Sequence, residues 1–391
     1  MHFPDFFHPL SADISAVFEN APADSLWNNT EKYTKENAFP FLNSAQIAVI
    51  GVDESRGATI DYDCKHAADY IRTQLYQLKM HGSKTSIVDL GNLKLGVTVN
   101  DTYAAVGEIV AYLARLKIIP VIIGSSQDLT YGHYKGYKIL DQIINIVGVD
   151  ARFDLGLPSE PLTSNTWLGN IVLDQPNYLF NYSHIGHQTY FVGQYAVNMM
   201  DNLFFDTYRL GQVREDMKEL EPIVRNADVL TIDMSSIRSA DAPGTVFPSP
   251  NGLDGENICQ LMYYAGMSDK LEGVGLYEYH PSSDRQHQTA LLMAQMIWYF
   301  IDGFNNRKKD VPDSSSSQFT VYRVTVSDSR QDISFMKSNI SGRWWMELPL
   351  KSGGKRKLDR HQLIPCSYAD YQTACNNEIP ERWWQALKKL S

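Results

Sequence analysis

A chain of 391 residues is too long for one small domain, and 43% hydrophobic with 20% charged residues is the make-up of a soluble globular protein. No apolar run reaches the roughly 18 residues that a membrane-crossing helix needs, which argues against a membrane protein. The net charge of −10 is uneven: residues 321–391 carry 12 Lys and Arg against 7 Asp and Glu, or +5, leaving −15 on residues 1–320. An acidic body disfavours nucleic acid as a partner, because phosphate contacts need clustered positive charge.

The first residues, MHFPDFFHPLSADISAVFENAP, lack the basic start and apolar core of a signal peptide, so the expected location is cytoplasmic and residues 1–44 are expected to form an N-terminal extension. From residue 45 to 310 apolar, β-rich runs alternate with helix-like stretches or polar loops. The runs are IAVIGV at 47–52, SIVDLG at 86–91, IIPVIIG at 118–124, IINIVGVD at 143–150, YFVGQ at 190–194 and VLTIDM at 229–234. Such alternation predicts an α/β fold with a mostly parallel sheet and crossover helices, in which ligands bind beyond the carboxyl ends of strands. Residues 101–116 have helical spacing with an Asp at the expected N-cap.

Residues 311–318, VPDSSSSQ, have linker composition, and residues 319–391 are expected to form a Trp-rich, basic C-terminal extension. That extension opens with a strand-like run, FTVYRVTV at 319–326, and its Arg-Trp-Trp triplets at 343–345 and 382–384 hold four of the seven tryptophans. Two readings stand for it: an accessory subdomain packed on the body, or a docking surface for a protein partner. The basic stretch Lys351 to Arg360 reads as a solvated loop. Cys64, Cys259, Cys366 and Cys375 show no CxxC pairing and read as buried free thiols. His133, His280 and the pair His184 and His187 read as packing residues, the pair being expected on a helix face or turn.

Three strand ends carry polar clusters: Gly124-Ser-Ser-Gln-Asp128, Asp150-Ala-Arg-Phe-Asp154 and Asp233-Met-Ser235. Here the chain resembles the ureohydrolases, the superfamily of arginase, agmatinase and formimidoylglutamase, and formimidoylglutamase most closely. In that family the sites read G-G-x-H, D-A-H-x-D and D-x-D and supply two histidines and four aspartates to a manganese pair. Further matches accompany them: GVDESRG at 51–57, YIRTQLYQL at 70–78, Thr163-Ser-Asn-Thr166, SADAPGTVFPSPNGL at 239–253 and Gly275-Leu-Tyr-Glu-Tyr-His-Pro281. The resemblance covers residues 45 to 306 and implies the three-layer arginase-like fold.

Carried over position by position, the resemblance makes Asp150, Asp154 and Asp233 metal ligands and Asp154 and Glu278 catalytic. It also assigns Ser164, Asn165 and Glu278 to substrate. Gln127, Arg152 and Ser235 stand where the family has its two histidines and last aspartate. An intact centre uses two metals about 3.5–4 Å apart to generate the nucleophile. Glutamine and serine are weak manganese ligands, and arginine is a fixed cation with no lone pair to donate. These substitutions lead to the expectation of a pseudoenzyme that binds or scaffolds with no cofactor, with Arg152 replacing the ions in a salt-bridge cluster. The alternative is a working amidine hydrolase with manganese on the three aspartates. The resemblance also implies a homo-oligomer.

Overall fold

A computed structural model describes residues 2–60, 62–80, 82, 84–312, 318–326, 331–349 and 360–390. The middle of the expected linker, 313–317, and residues 351–359 of the basic stretch lie outside the described residues.

The body is built on ten strands: β1 (Phe7–His8), β2 (Thr30–Lys32), β3 (Ile47–Val52), β4 (Ile87–Leu93), β5 (Ile119–Gly124), β6 (Ile144–Val149), β7 (Leu179–His187), β8 (Asp206–Arg209), β9 (Val229–Asp233) and β10 (Gly273–Tyr277). They form one sheet in the order β1-β4-β3-β5-β10-β9-β6-β7-β8, with β2 also on β4. Every pairing is parallel except that of β1 with β4. All residues of β3, β5, β6, β9 and β10 are buried, as expected for parallel strands covered on both faces.

Alternation along each strand divides the core into two. Ile47, Val49, Val121, Ile123, Val147 and Ile232 face helices 67–75, 255–267 and 288–305. Ala48, Ile50, Ile122 and Ile146 face helices 99–115, 129–139 and 167–173 on the other side. The layers are therefore helix, sheet, helix. The helix expected at 101–116 starts earlier, at Val99, because Thr98 caps it and Asp101 returns the bond to the Thr98 backbone. Residues 1–44 do not stand apart: they add β1 and β2 to the sheet beside β4.

One expected strand fails. YFVGQ at 190–194 falls on a short 3-10 helix, Thr189–Phe191, and the start of helix Gln194–Asn202, with Tyr190 65% and Phe191 40% exposed. The strand of this region is β7, whose buried Asn181, Ser183, His184 and His187 disguise it as a polar loop. His184 and His187 thus sit on a strand, not on a helix face. The cysteines are unpaired, but Cys375 is exposed where burial was expected.

The C-terminal extension is a four-stranded antiparallel sheet in the order β11 (Phe319–Val326), β12 (Gln331–Ser338), β13 (Trp344–Glu347) and β14 (Leu363–Cys366). It has its own core, which includes Phe335, Trp344, Met346 and Trp383. It meets the body through opposite charges: Arg343 with Glu221 at 3.1 Å, Arg360 with Asp228 at 2.5 Å and Arg382 with Glu219 at 2.8 Å. From the body, buried Arg225 donates to the carbonyls of Trp344 and Cys366 and lies 4.3 Å over the Trp345 ring. No helix among the described residues is long and apolar enough to cross a membrane.

Trp383 is fully buried and donates through Nε1 to the Glu347 carbonyl at 2.9 Å. Trp383→Ala should destabilise the protein by about 3–5 kcal/mol in urea titrations, the range for removing a buried aromatic side chain. A loss below about 1 kcal/mol would show that this indole does not hold the extension together.

Candidate active site

β5, β10, β9 and β6 are consecutive neighbours in the sheet, so their carboxyl ends form one edge. That edge brings together Gln127, Glu278, Asp233 and the Asp150–Asp154 loop, all buried except half-buried Arg152. Asp150, Asp154 and Asp233 each offer a carboxylate oxygen within 4.8 Å of the others. Each is held by its own loop. The Arg152 backbone N–H donates to Asp150 at 3.0 Å, and the Ser235 backbone N–H donates to Asp233 at 2.6 Å. Trp167 donates through Nε1 to Asp154 at 3.2 Å.

Glu278 directly follows β10 and adopts a left-handed backbone, φ 63, as does Asp154 at φ 46. Its carboxylate accepts from the Gln127 backbone N–H at 2.8 Å on Oε1, while Oε2 is buried with no hydrogen-bond partner among the described residues. The Gln127 side-chain oxygen is likewise buried without a partner. The Gln127 amide nitrogen makes one long contact, 3.5 Å, with Thr231.

Burial is the main reason these groups resist ionisation. It pushes Asp150 and Asp233 well above the carboxylate range, with neighbouring Asp154 and Asp150 respectively adding to the effect. Burial raises Asp154 from its ordinary 3.8 to about 7, and raises Glu278 with help from Asp233. The Arg152 charge opposes this only weakly. Its guanidinium does not enter the cluster: it lies 4.7 Å from the Phe191 ring centre and 4.8 Å from that of Phe247, and forms no ion pair among the described residues. The salt-bridge cluster expected from the sequence is therefore not what the structure contains, because the two rings draw the arginine away.

Several residues that the sequence reading named support the site from around it, and the packing role expected of His184 is what the structure shows. His184 accepts from the Tyr182 hydroxyl and donates through Nε2 to the Asp150 carbonyl at 3.0 Å, steadying the loop as a neutral ring with a pKa lowered by burial to about 3. Asp128 is buried against the hydroxyls of Tyr103 and Ser126. Gly57 passes so close that a Cβ there would stand 2.1 Å from Asp128, and its carbonyl accepts from the Ser164 N–H at 2.9 Å. Ser164 itself bonds Thr59, so it ties two loops together; half-buried Asn165 sits beside it in the turn. No hydrogen bond among the described residues joins Ser164 or Asn165 to the carboxylates. The only available signals were the Trp just after the Thr163–Thr166 loop and the SHIGH pair.

The pattern of the arginase family matches residues 45–302. The chain belongs to the arginase family. Among curated relatives, a formimidoylglutamase of Streptococcus gordonii is 26% identical over 281 residues, spanning 66% of this chain and 84% of that protein. A formimidoylglutamase of Geobacillus is 26% identical over 288 residues, 70% and 86% of the two chains. The crystal structure of Bacillus subtilis formimidoylglutamase shares the fold with a TM-score of 0.62 at 18% identity, covering 68% of this chain and 88% of that one. Trypanosoma cruzi formiminoglutamase, solved with Mn2+, gives 0.62 at 16% identity over 69% and 100%. The family pattern ends at residue 302, before the C-terminal extension begins at β11.

Residues present fit a hard cation. The converging donors are three carboxylate oxygens, the ligand type that hard divalent cations take. Stability should report the crowding directly. A carboxyl whose folded pKa exceeds its unfolded value stabilises the fold while protonated, and that stability is lost as pH rises from the ordinary 3.8 through about 7 for Asp154. In EDTA the melting temperature should fall from about pH 5 to about pH 8, and Asp154→Asn should flatten the slope. A pH-independent melt across that window would contradict the crowding.

Proposed function

We propose that this arginase-family chain hydrolyses a C–N bond of linear amidines using one divalent cation, manganese foremost, held by Asp150, Asp154 and Asp233. The observation that carries this reading is the trio of buried carboxylates with no cationic side chain paired to any of them among the described residues. When bound, such an ion supplies the Lewis acidity that generates a water-derived nucleophile at neutral pH. Trp167 fixes Asp154 so that its carboxylate orients the attacking water and accepts its proton. Glu278, with Oε1 held by Gln127 and Oε2 free, is placed to accept from the N–H groups of a cationic amidine.

Gln127, Arg152 and Ser235 leave a second ion short of donors, which is why the reading is limited to one. The names of the curated relatives support hydrolysis over the non-catalytic role expected from those substitutions, and point to a formimidoyl amino acid as first substrate to try. Manganese rather than no cofactor is supported by the Mn2+ in the Trypanosoma cruzi structure.

Protein purified without chelator and supplied with manganese should bind about one ion per chain and release glutamate from N-formimidoyl-L-glutamate. Glu278→Gln should lower kcat/KM about 10- to 150-fold, since a hydrogen bond to a charged group contributes about 1.5–3 kcal/mol. Failure to retain manganese, together with no turnover of a panel of amidines and guanidines, would overturn the proposal.

A further inference from the structure

Where the C-terminal extension meets the body it leaves a cavity of about 410 Å³. That volume lies within the roughly 300–1,000 Å³ range of small-molecule sites. The body contributes Arg225 at the end of helix 220–225, the 269–272 loop before β10 and residues 310–312 after helix 288–305. The extension contributes β13 and residues 360–365. The arginase-family pattern stops at residue 302, so the extension's side of the cavity lies outside it.

Four cationic side chains, Arg225, Lys270, Arg343 and Arg360, line this space against three acidic ones, Asp269, Glu272 and Asp310. Burial raises the pKa of Asp269 and of Glu272, which weakens the acidic side further. Several of the cations already have partners: Arg343 and the Nε of Arg225 meet Glu221, and Lys270 and Arg360 meet Asp228. Arg225 nevertheless keeps a donor in hand. It is only 4% exposed and its Nη2 donates to the carbonyls of Trp344 and Cys366, but its Nη1 is buried with no hydrogen-bond partner among the described residues. A guanidinium donor without an acceptor in the interior carries the cost of its lost hydration, and an acceptor admitted by the cavity relieves it. Trp345, Leu363 and Pro365 add apolar surface to the same walls.

We propose that this cavity binds a small organic carboxylate with an apolar body, the carboxylate anchored by Arg225 and the body seated against Trp345 and Leu363. Excess positive charge favours an anion, the orphaned donor favours a planar acceptor that a guanidinium can grip, and the apolar walls exclude a bare inorganic ion. The cavity lies at the amino ends of β9 and β10, away from the carboxylate cluster, so the proposal does not depend on the hydrolytic reading. A ligand held there touches body and extension at once.

Benzoate is the probe, with benzylamine and benzyl alcohol as controls of similar shape and different charge. On full-length, manganese-supplied protein, calorimetry should give benzoate a dissociation constant below about 1 mM and both controls at least about tenfold weaker binding. Hydrogen exchange should slow at residues 343–347 and 363–366 when benzoate is added and stay unchanged at 150–154. Arg225→Lys, which keeps the charge but not the planar fork, should weaken benzoate at least about tenfold. Arg225 also supports the seam, so Leu363→Trp, which fills the cavity and leaves every charge in place, serves as the second variant and should abolish binding. No benzoate binding up to about 10 mM would overturn the proposal and leave a cavity that holds water only. Equal or tighter binding of benzylamine, unchanged affinity in Leu363→Trp, or protection confined to residues 150–154 would overturn it as well.

Discussion

Four neighbouring parallel strands, β5, β10, β9 and β6, deliver Gln127, Glu278, Asp233 and Asp150 to one edge, and Asp154 joins them from the same loop as Asp150. Strand adjacency therefore brings four carboxyl groups together in the buried interior, and the surrounding loops are shaped by that constraint. Each carboxylate is met by a fixed donor: a backbone N–H for Asp150, Asp233 and Glu278, and the Trp167 indole for Asp154. One donor favours the ionised form, but burial outweighs it at every position. Asp154 and Glu278 also hold left-handed backbones, an arrangement that costs about 1–3 kcal/mol at a non-glycine residue and persists only where the surroundings over-determine it. Here Trp167, Leu168 and Ser125 supply the determining contacts.

The opposite edge of the same strands is where the C-terminal extension attaches. Asp228 immediately precedes β9, and Arg225 ends the helix before it; Lys270 and Glu272 precede β10. The extension brings Arg343, Arg360 and Arg382 to this acidic end, so the uneven charge along the chain becomes a seam rather than a free basic tail. Buried Arg225 pairs with Glu221 at 3.0 Å within the body and gives Nη2 and its face to the carbonyls and the Trp345 ring of the extension. The extension thus covers the amino ends of β9 and β10 and leaves their carboxyl ends, with Asp233 and Glu278, uncovered by it.

The buried strands were legible because parallel strands covered on both faces must be continuously apolar, and IAVIGV, IIPVIIG and VLTIDM are. The carboxylate edge followed, since polar clusters sat just past those runs. β7 was hidden for the converse reason: a strand near the sheet margin buries Asn181, Ser183, His184 and His187 by hydrogen bonding, a tertiary arrangement that periodicity does not encode. YFVGQ misled because aromatic and β-branched residues favour strands, yet here Tyr190 and Phe191 serve the surface and the Arg152 guanidinium. The attachment of residues 1–44 to β4 was equally invisible, because two- and three-residue strands leave no pattern to count.

Arg152 marks the limit of reading a site by substitution alone. A permanent cation in a loop between two aspartates looks like an internal replacement for metal ions, and had it paired with them the carboxylates would be neutralised and the pocket closed to any further cation. The aromatic rings of Phe191 and Phe247 lie on two other loops, far away in sequence, and their centres stand 4.7 and 4.8 Å from the guanidinium carbon, within cation–π range. With the arginine held there, no cationic side chain among the described residues pairs with the three aspartates, and burial sets them against ionisation. The turn of one side chain towards two rings thus leaves the three aspartates without the internal counter-charge that the sequence suggested.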